Sequence, residues 1–232
     1  MSAPSLSPPI RTHRRSAWAV MRIAALSVAL LSAAACSSAA TSAPSPSATA
    51  FHGDKLSQPI ELSAQASAAR FRATTGGTTT LGALQRGNLM LVYFGYTHCP
   101  DVCPTTMADL GQAVRQLPTQ AQTHTQVVFV TSDPARDTPA VMTSWLHNFD
   151  SGLLHPFVGL TASIKAIDAV ATSVGVPLEA PRKEANGTIT VQHGAETLAF
   201  IDGKAGVLWT GGTNVADYVH DLNVLIRRVG SQ

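Results

Sequence analysis

"YFGYTHCPDVCPTTM", residues 93–107, holds two of the chain's three cysteines, Cys99 and Cys103, separated by three residues. It grows out of "NLMLVYFG" (88–95), a continuous apolar run that suits a strand buried on both faces. Helical patterning begins just after the cysteines and stops at Pro118. The pair therefore falls where a buried strand hands over to a helix. A helix N-terminus carries unsatisfied N–H groups and partial positive charge. That environment favours a thiolate, which is both the nucleophile and the metal ligand. Cys99 is expected in the loop before the helix and Cys103 in or near its first turn. If the intervening segment is helical, positions i and i+4 share a face with Cβ atoms about 5–6 Å apart. Both sulfurs can then reach one ion, or close on each other with modest movement.

Working outward, "TQVVFVTS" (125–132) reads as a second buried strand. Thr138 and Pro139 open a helix that runs to about Phe149. "HPFVGL" reads as a short strand, and Thr161 as the cap of a helix ending at Gly175. Asn186-Gly187 reads as a turn, followed by strand-like runs near 188–192 and 197–202 and by "GVLWT" after a turn at Gly206. Thr213 opens a last helix to about Val229. Upstream, "IELSAQASAARFRATTGGTTT" suits short strands around a Gly76-Gly77 turn. Strand, helix, strand, helix, then a hairpin and a last helix describe an α/β sandwich with a central sheet. A reactive pair between a strand and a helix start is where thioredoxin-like folds put their chemistry.

The chain has 232 residues and 45% hydrophobic composition, enough for one domain with a core. Its net charge of +2, with no basic run interleaved with aromatics, excludes nucleic acid as a partner. Residues 1–36 read as an export segment. Arg11, Arg14, Arg15 and Arg22 precede the thirteen apolar or small residues "IAALSVALLSAAA", and then Cys36. "SAAAC" resembles a bacterial lipobox, which makes Cys36 the lipid-attachment residue. Simple cleavage or an uncleaved N-terminal anchor are the alternatives. Residues 37–53 are rich in Ser, Ala, Thr and Pro and read as a flexible tether. The domain then occupies residues 54–232, on the outer face of the cell membrane. In an oxidising compartment the remaining pair, Cys99 and Cys103, tends toward a disulfide.

Two thiolates are soft ligands that suit Cu(I) and also Zn. A third ligand must come from elsewhere in the chain, which has eight histidines. His98 adjoins Cys99 but is expected to face the rim. His193, in a loop beside Gly194, reads by spacing alone as a turn residue or as a ligand. Asp133-Pro134 reads as a strand-end turn, or as a group close to the thiolates. Asp137 reads as a cap beside Thr138, and Arg136 as its partner or as a group facing another protein. The residues alone leave a metal clamp and a redox switch open. A structural disulfide explains the pair poorly, because closing so short a loop stabilises little.

"YFGYTHCPDVCPTTM", "VVFVTSDPARDTP" (127–139) and "VQHGAETLAFID" (191–202) occur in order, and together they resemble the three signature blocks of the SCO/SenC copper proteins. The resemblance covers roughly residues 54–230. It implies a thioredoxin-like fold with an inserted hairpin carrying a histidine. It implies one copper ion, Cu(I) or Cu(II), held by Cys99, Cys103 and His193. It implies a metallochaperone in assembly of the copper centre of cytochrome c oxidase. The partners would be the copper-bearing subunit or another copper chaperone, and the membrane through the lipid anchor. The alternative is a membrane-anchored thiol–disulfide oxidoreductase that reduces the cysteines of a copper-receiving protein.

Overall fold

The computed structural model describes residues 50–179, 181–185, 189–191 and 193–229. Cys36, the tether up to residue 49 and the Asn186-Gly187 turn lie outside the described residues. In chain order the elements are β1 (Asp54–Glu61), α1 (Ala64–Ala68), β2 (Arg70–Ala73), β3 (Thr78–Thr80), α2 (Leu81–Gln85), β4 (Leu89–Gly95) and α3 (Val102–Gln116). There follow α4 (Thr119–Thr123), β5 (Thr125–Thr131), α5 (Pro139–Asp150), β6 (Val158–Thr161) and α6 (Ile164–Ser173). The chain continues through β7 (Arg182–Lys183), β8 (Ile189–Thr190), β9 (Thr197–Ile201), β10 (Lys204–Trp209) and α7 (Val215–Val229). The main sheet has eight strands in the order β1-β10-β9-β4-β5-β6-β2-β3, and β7 and β8 form a separate small hairpin.

β4 is the centre of the sheet. It runs parallel to β5 and antiparallel to β9, and every residue in it is buried. Its two faces feed two cores, as the period of two requires. Leu89, Leu91 and Tyr93 pack with Met107 and Leu110 of α3, Met142 of α5 and Leu222 of α7. Met90, Val92 and Phe94 pack with Leu81 of α2 and with Ile167 and Val170 of α6. The result is the thioredoxin-like α/β arrangement expected from the sequence, a central sheet with helices on both sides.

Local differences have local causes. The turn placed at Gly206 is made instead by Asp202 and Gly203, both at positive φ, while Gly206 lies inside β10 where its pairing with β9 shifts register. Thr161 ends β6, and Ser163 caps α6 by accepting from the Ala166 N–H. α7 begins at Val215, where the Asn214 side chain accepts from the Asp217 N–H, two positions later than Thr213. Gly76 and Gly77 turn β2 into β3 as expected, at φ 93° and 67°. The preceding segment includes the helical turn α1, capped by Ser63.

Asp221 of α7 is fully buried and ties the start of the domain to its last helix. Its carboxylate accepts from the backbone N–H groups of His52 (2.9 Å) and Gly53 (2.8 Å) and from the Trp209 indole (2.9 Å), and the His220 Nδ1 lies 2.9 Å away. Burial disfavours its charge, but these donors outweigh burial and lower its pKa from the ordinary 3.8. A lowered native pKa contributes stability above the unfolded value that is lost as the pH falls through the native one. Asp221→Ala should destabilise the fold by about 2–4 kcal/mol at neutral pH, by stranding buried donors. It should also flatten the acid limb of a pH series of urea unfolding. An unchanged acid limb would show that Asp221 is not a source of this dependence.

Candidate metal and redox site

The site forms where β4 ends. α3 starts at Val102 with Asp101 as a cap that makes no side-chain bond, so Cys103 lies in the first turn and Cys99 lies outside the helix. Both placements are those expected from the sequence, and the interval between the cysteines is not helical throughout. A turn bonding the Cys99 N–H to the Tyr96 carbonyl (3.2 Å), not a shared helical face, carries Cys99 back toward Cys103. Cys103 is completely buried, Cys99 is partly exposed, and both are free thiols.

Gly95 makes room for this. A Cβ there would stand 2.7 Å from Cε1 of Tyr93 and 2.8 Å from Sγ of Cys103. The missing side chain lets a sulfur and a phenol ring occupy the same slot. The Tyr93 hydroxyl donates to the Cys103 sulfur at 3.6 Å.

His193 arrives from ninety residues downstream in sequence, just after β8, with its Nε2 3.4 Å from the Cys103 sulfur. It is held by a bridge to Leu178, and the next N–H, of Gly194, bonds the Pro177 carbonyl at 3.0 Å. Its Nδ1 lies 2.8 Å from the Gly194 carbonyl, which can only accept. That bond places a proton on Nδ1 and aims Nε2 at the sulfurs. The edges of Tyr96 and Tyr93 bracket the ring, with centroids 5.6 Å and 6.1 Å away. The two sulfurs and an imidazole nitrogen of His193 lie within 4.8 Å of one another, and they are the one such cluster among the described residues.

The pair shares a proton. Donation from Cys103 pulls the Cys99 thiol down to about 3 against the cost of its burial, and His193 adds to the effect. Cys103 is pushed up because its S–H is committed to Cys99 and because it is buried. Burial opposes charge on His193, but bonding to Cys99 and to the Gly194 carbonyl outweighs it and raises its pKa. Burial, and then the nearness of the Cys103 sulfur, keeps the Tyr93 hydroxyl protonated.

Asp133 is buried at the end of β5 and paired with Arg136, which takes Asp133, not Asp137, as its partner. The Arg136 guanidinium lies over the Tyr96 ring, 5.9 Å from its centroid, so Asp133 faces the site through two intervening side chains. Asp137 is not the helix cap, a role that Thr138 fills by accepting from Val141 N–H. Fully buried, Asp137 accepts from the Thr97 N–H (3.0 Å), the Thr97 hydroxyl (2.6 Å) and the Thr131 hydroxyl (2.7 Å). It thereby pins the loop that carries Cys99 to the end of β5. Sequence reasoning missed this role and those of Tyr93 and Gly95, since each needs contacts that spacing does not display. His98 is half exposed at the rim, beside Thr97.

A buried strand, a half-exposed cysteine before a helix, a buried one inside it and a histidine from a later loop define a thioredoxin-like protein with a candidate three-ligand centre. The SCO1/SenC family model matches residues 61–226, and the chain belongs to that family. Bos taurus "Protein SCO2 homolog, mitochondrial" is 40% identical over 109 residues, which is 47% of this chain and 40% of the bovine protein. The chain spans half or less of the length of the curated relatives first matched. The solved structure of apo Sco1 from Thermus thermophilus is 30% identical, with a TM-score of 0.58, covering 78% of this chain and 96% of that one. The structure of Bradyrhizobium japonicum ScoI, with copper bound, is 27% identical with a TM-score of 0.56, covering 75% and 98%.

Two outcomes follow from this geometry. Gly95→Ala should cost about 1–3 kcal/mol by overpacking the slot. Gly206→Ala, whose Cβ meets nothing within 4 Å, should stay within about 0.5 kcal/mol in the same denaturant titration. Alkylation of the reduced protein should modify Cys99 first, at a rate nearly flat between about pH 5 and 8, because its lowered pKa lies below that window while a free cysteine titrates near 8.5. A rate rising about tenfold per pH unit would contradict the shared proton.

Proposed function

We propose that this chain is an extracytoplasmic copper metallochaperone that serves assembly of the copper centre of cytochrome c oxidase. It binds one copper ion through Cys99, Cys103 and His193. The observation that carries the reading is the convergence of two sulfurs and an oriented imidazole at one point. The donor set is soft enough for Cu(I), while the imidazole also suits Cu(II). Metal–ligand bonds are about 2.0–2.3 Å long, so a small closing movement brings all three atoms onto one ion.

Copper is cargo here, and the residues divide its handling. Cys99 offers a thiolate already formed and the accessible side of the site. Cys103 must surrender its proton as it takes up metal, so binding releases a proton and strengthens as pH rises. A receiving protein can reach Cys99 or His193 but not Cys103, which has no exposed surface. Closing the pair into a disulfide removes two of the three ligands and empties the site. Family membership supports the reading. So does the Bradyrhizobium structure, which has copper bound. The "SAAAC" motif and the tether support attachment through Cys36 at the outer face of the cell membrane, with simple export as the alternative. No helix of the described residues is long and apolar enough to cross a membrane.

The second reading is a reductant of copper-receiving cysteines. The asymmetry favours it, since a half-exposed thiolate beside a buried thiol is an attacking and a resolving pair. Against it, nucleophilicity falls with pKa, and a thiol held near 3 attacks disulfides poorly at neutral pH. One titration separates the two. Reduced protein given Cu(II) should take up one equivalent and show thiolate-to-copper charge-transfer absorption. His193→Ala should weaken Cu(II) binding by roughly an order of magnitude or more. Rapid catalytic insulin reduction with no retained copper would replace the first reading with the second.

A further inference from the structure

Tyr93 stands apart from the three proposed ligands yet touches two of them. It is fully buried in β4, its hydroxyl lies 3.6 Å from the Cys103 sulfur, and its ring meets that of His193 nearly edge-on. Phenylalanine would fill the core equally well at this position. A buried hydroxyl is costly unless it is bonded, and this one is spent on a sulfur. Gly95 gives up its side chain so that ring and sulfur can meet. Another buried tyrosine of the same core, Tyr218, packs against Trp209 with no bond to either cysteine.

We propose that the Tyr93 hydroxyl tunes the Cys103 sulfur: by donating to it, Tyr93 withdraws electron density, favours the dithiol over the disulfide, and favours Cu(I) over Cu(II) once copper is bound. A thiol or thiolate sulfur accepts a hydrogen bond better than a disulfide sulfur does, so the bond stabilises the reduced pair selectively. At a metal, a thiolate that accepts a hydrogen bond donates less charge and supports the oxidised ion less well. Tyr93 is in this sense a positioning residue that acts through Cys103. The copper half of the inference rests on the ligand reading above, and the dithiol half does not.

The test uses Tyr93→Phe and, as a control, Tyr218→Phe, each first shown by thermal unfolding to be folded. Reduced protein is equilibrated with oxidised and reduced glutathione. Two electrons pass to glutathione, its S–S bond breaks as the Cys99–Cys103 bond forms, and the one shared thiol proton, together with one from the buffer, ends on the two glutathione sulfurs. Tyr93→Phe should shift this equilibrium about three- to tenfold toward the protein disulfide. In the Cu(II) form its charge-transfer band should move to longer wavelength. Fluorotyrosine in place of all three tyrosines keeps every ring and makes the hydroxyl a stronger donor, so it should shift the glutathione equilibrium the other way. Tyr218→Phe should move neither readout. An unchanged glutathione equilibrium in Tyr93→Phe, or an equal shift in Tyr218→Phe, overturns the proposal. An unmoved band beside a shifted equilibrium overturns its copper half. A wild type without any charge-transfer band defeats the ligand reading, and the glutathione arm still decides the role of Tyr93.

Discussion

The Cys103 sulfur can lie against the end of β4 because Gly95 has no side chain. Everything else at the site is arranged around that contact. The first turn of α3 sets the position of Cys103, and the buried strand sets the position of Gly95 and Tyr93. A sulfur placed there without solvent keeps its proton, shares it with Cys99, and so makes Cys99 the ionised partner. The asymmetry between a half-exposed thiolate and a buried thiol is a consequence of packing before it is a feature of chemistry.

Two further supports fix the remaining groups. Asp137 holds the Thr97–Cys99 loop from the end of β5, with hydroxyl and backbone donors filling a carboxylate that is buried in full. The bridge from His193 to Leu178 and the bond from Gly194 to Pro177 hold the later loop against the segment that follows α6. Between them Tyr96 touches both sides, lying edge-on to His193 and under the Arg136 guanidinium. Asp133 belongs to this layer, one step behind the ring.

Local signals carried much of the fold. The apolar run of β4 announced a strand buried on two faces, and the Thr138-Pro139 and Gly76-Gly77 pairs announced a helix start and a turn. The Gly206 turn was misplaced because a glycine inside a strand at a register shift has the same local signature as a glycine in a turn. The cysteines were legible from their place between strand and helix. His193 was not legible as a neighbour of theirs from spacing, since the bridge that brings it there is a long-range pairing. Only the three-block resemblance joined it to them. Asp137 was read as a cap because a carboxylate beside Thr-Pro usually is one. Its partner Thr97 is forty residues away.

The central claim is that two sulfurs and one imidazole hold a single ion. X-ray absorption at the copper edge of the Cu(I)-loaded protein tests it most directly. The account predicts two sulfur scatterers and one nitrogen scatterer, with the nitrogen lost in His193→Ala and one sulfur lost in Cys103→Ser. A copper shell without sulfur, or one left unchanged by both substitutions, would contradict it.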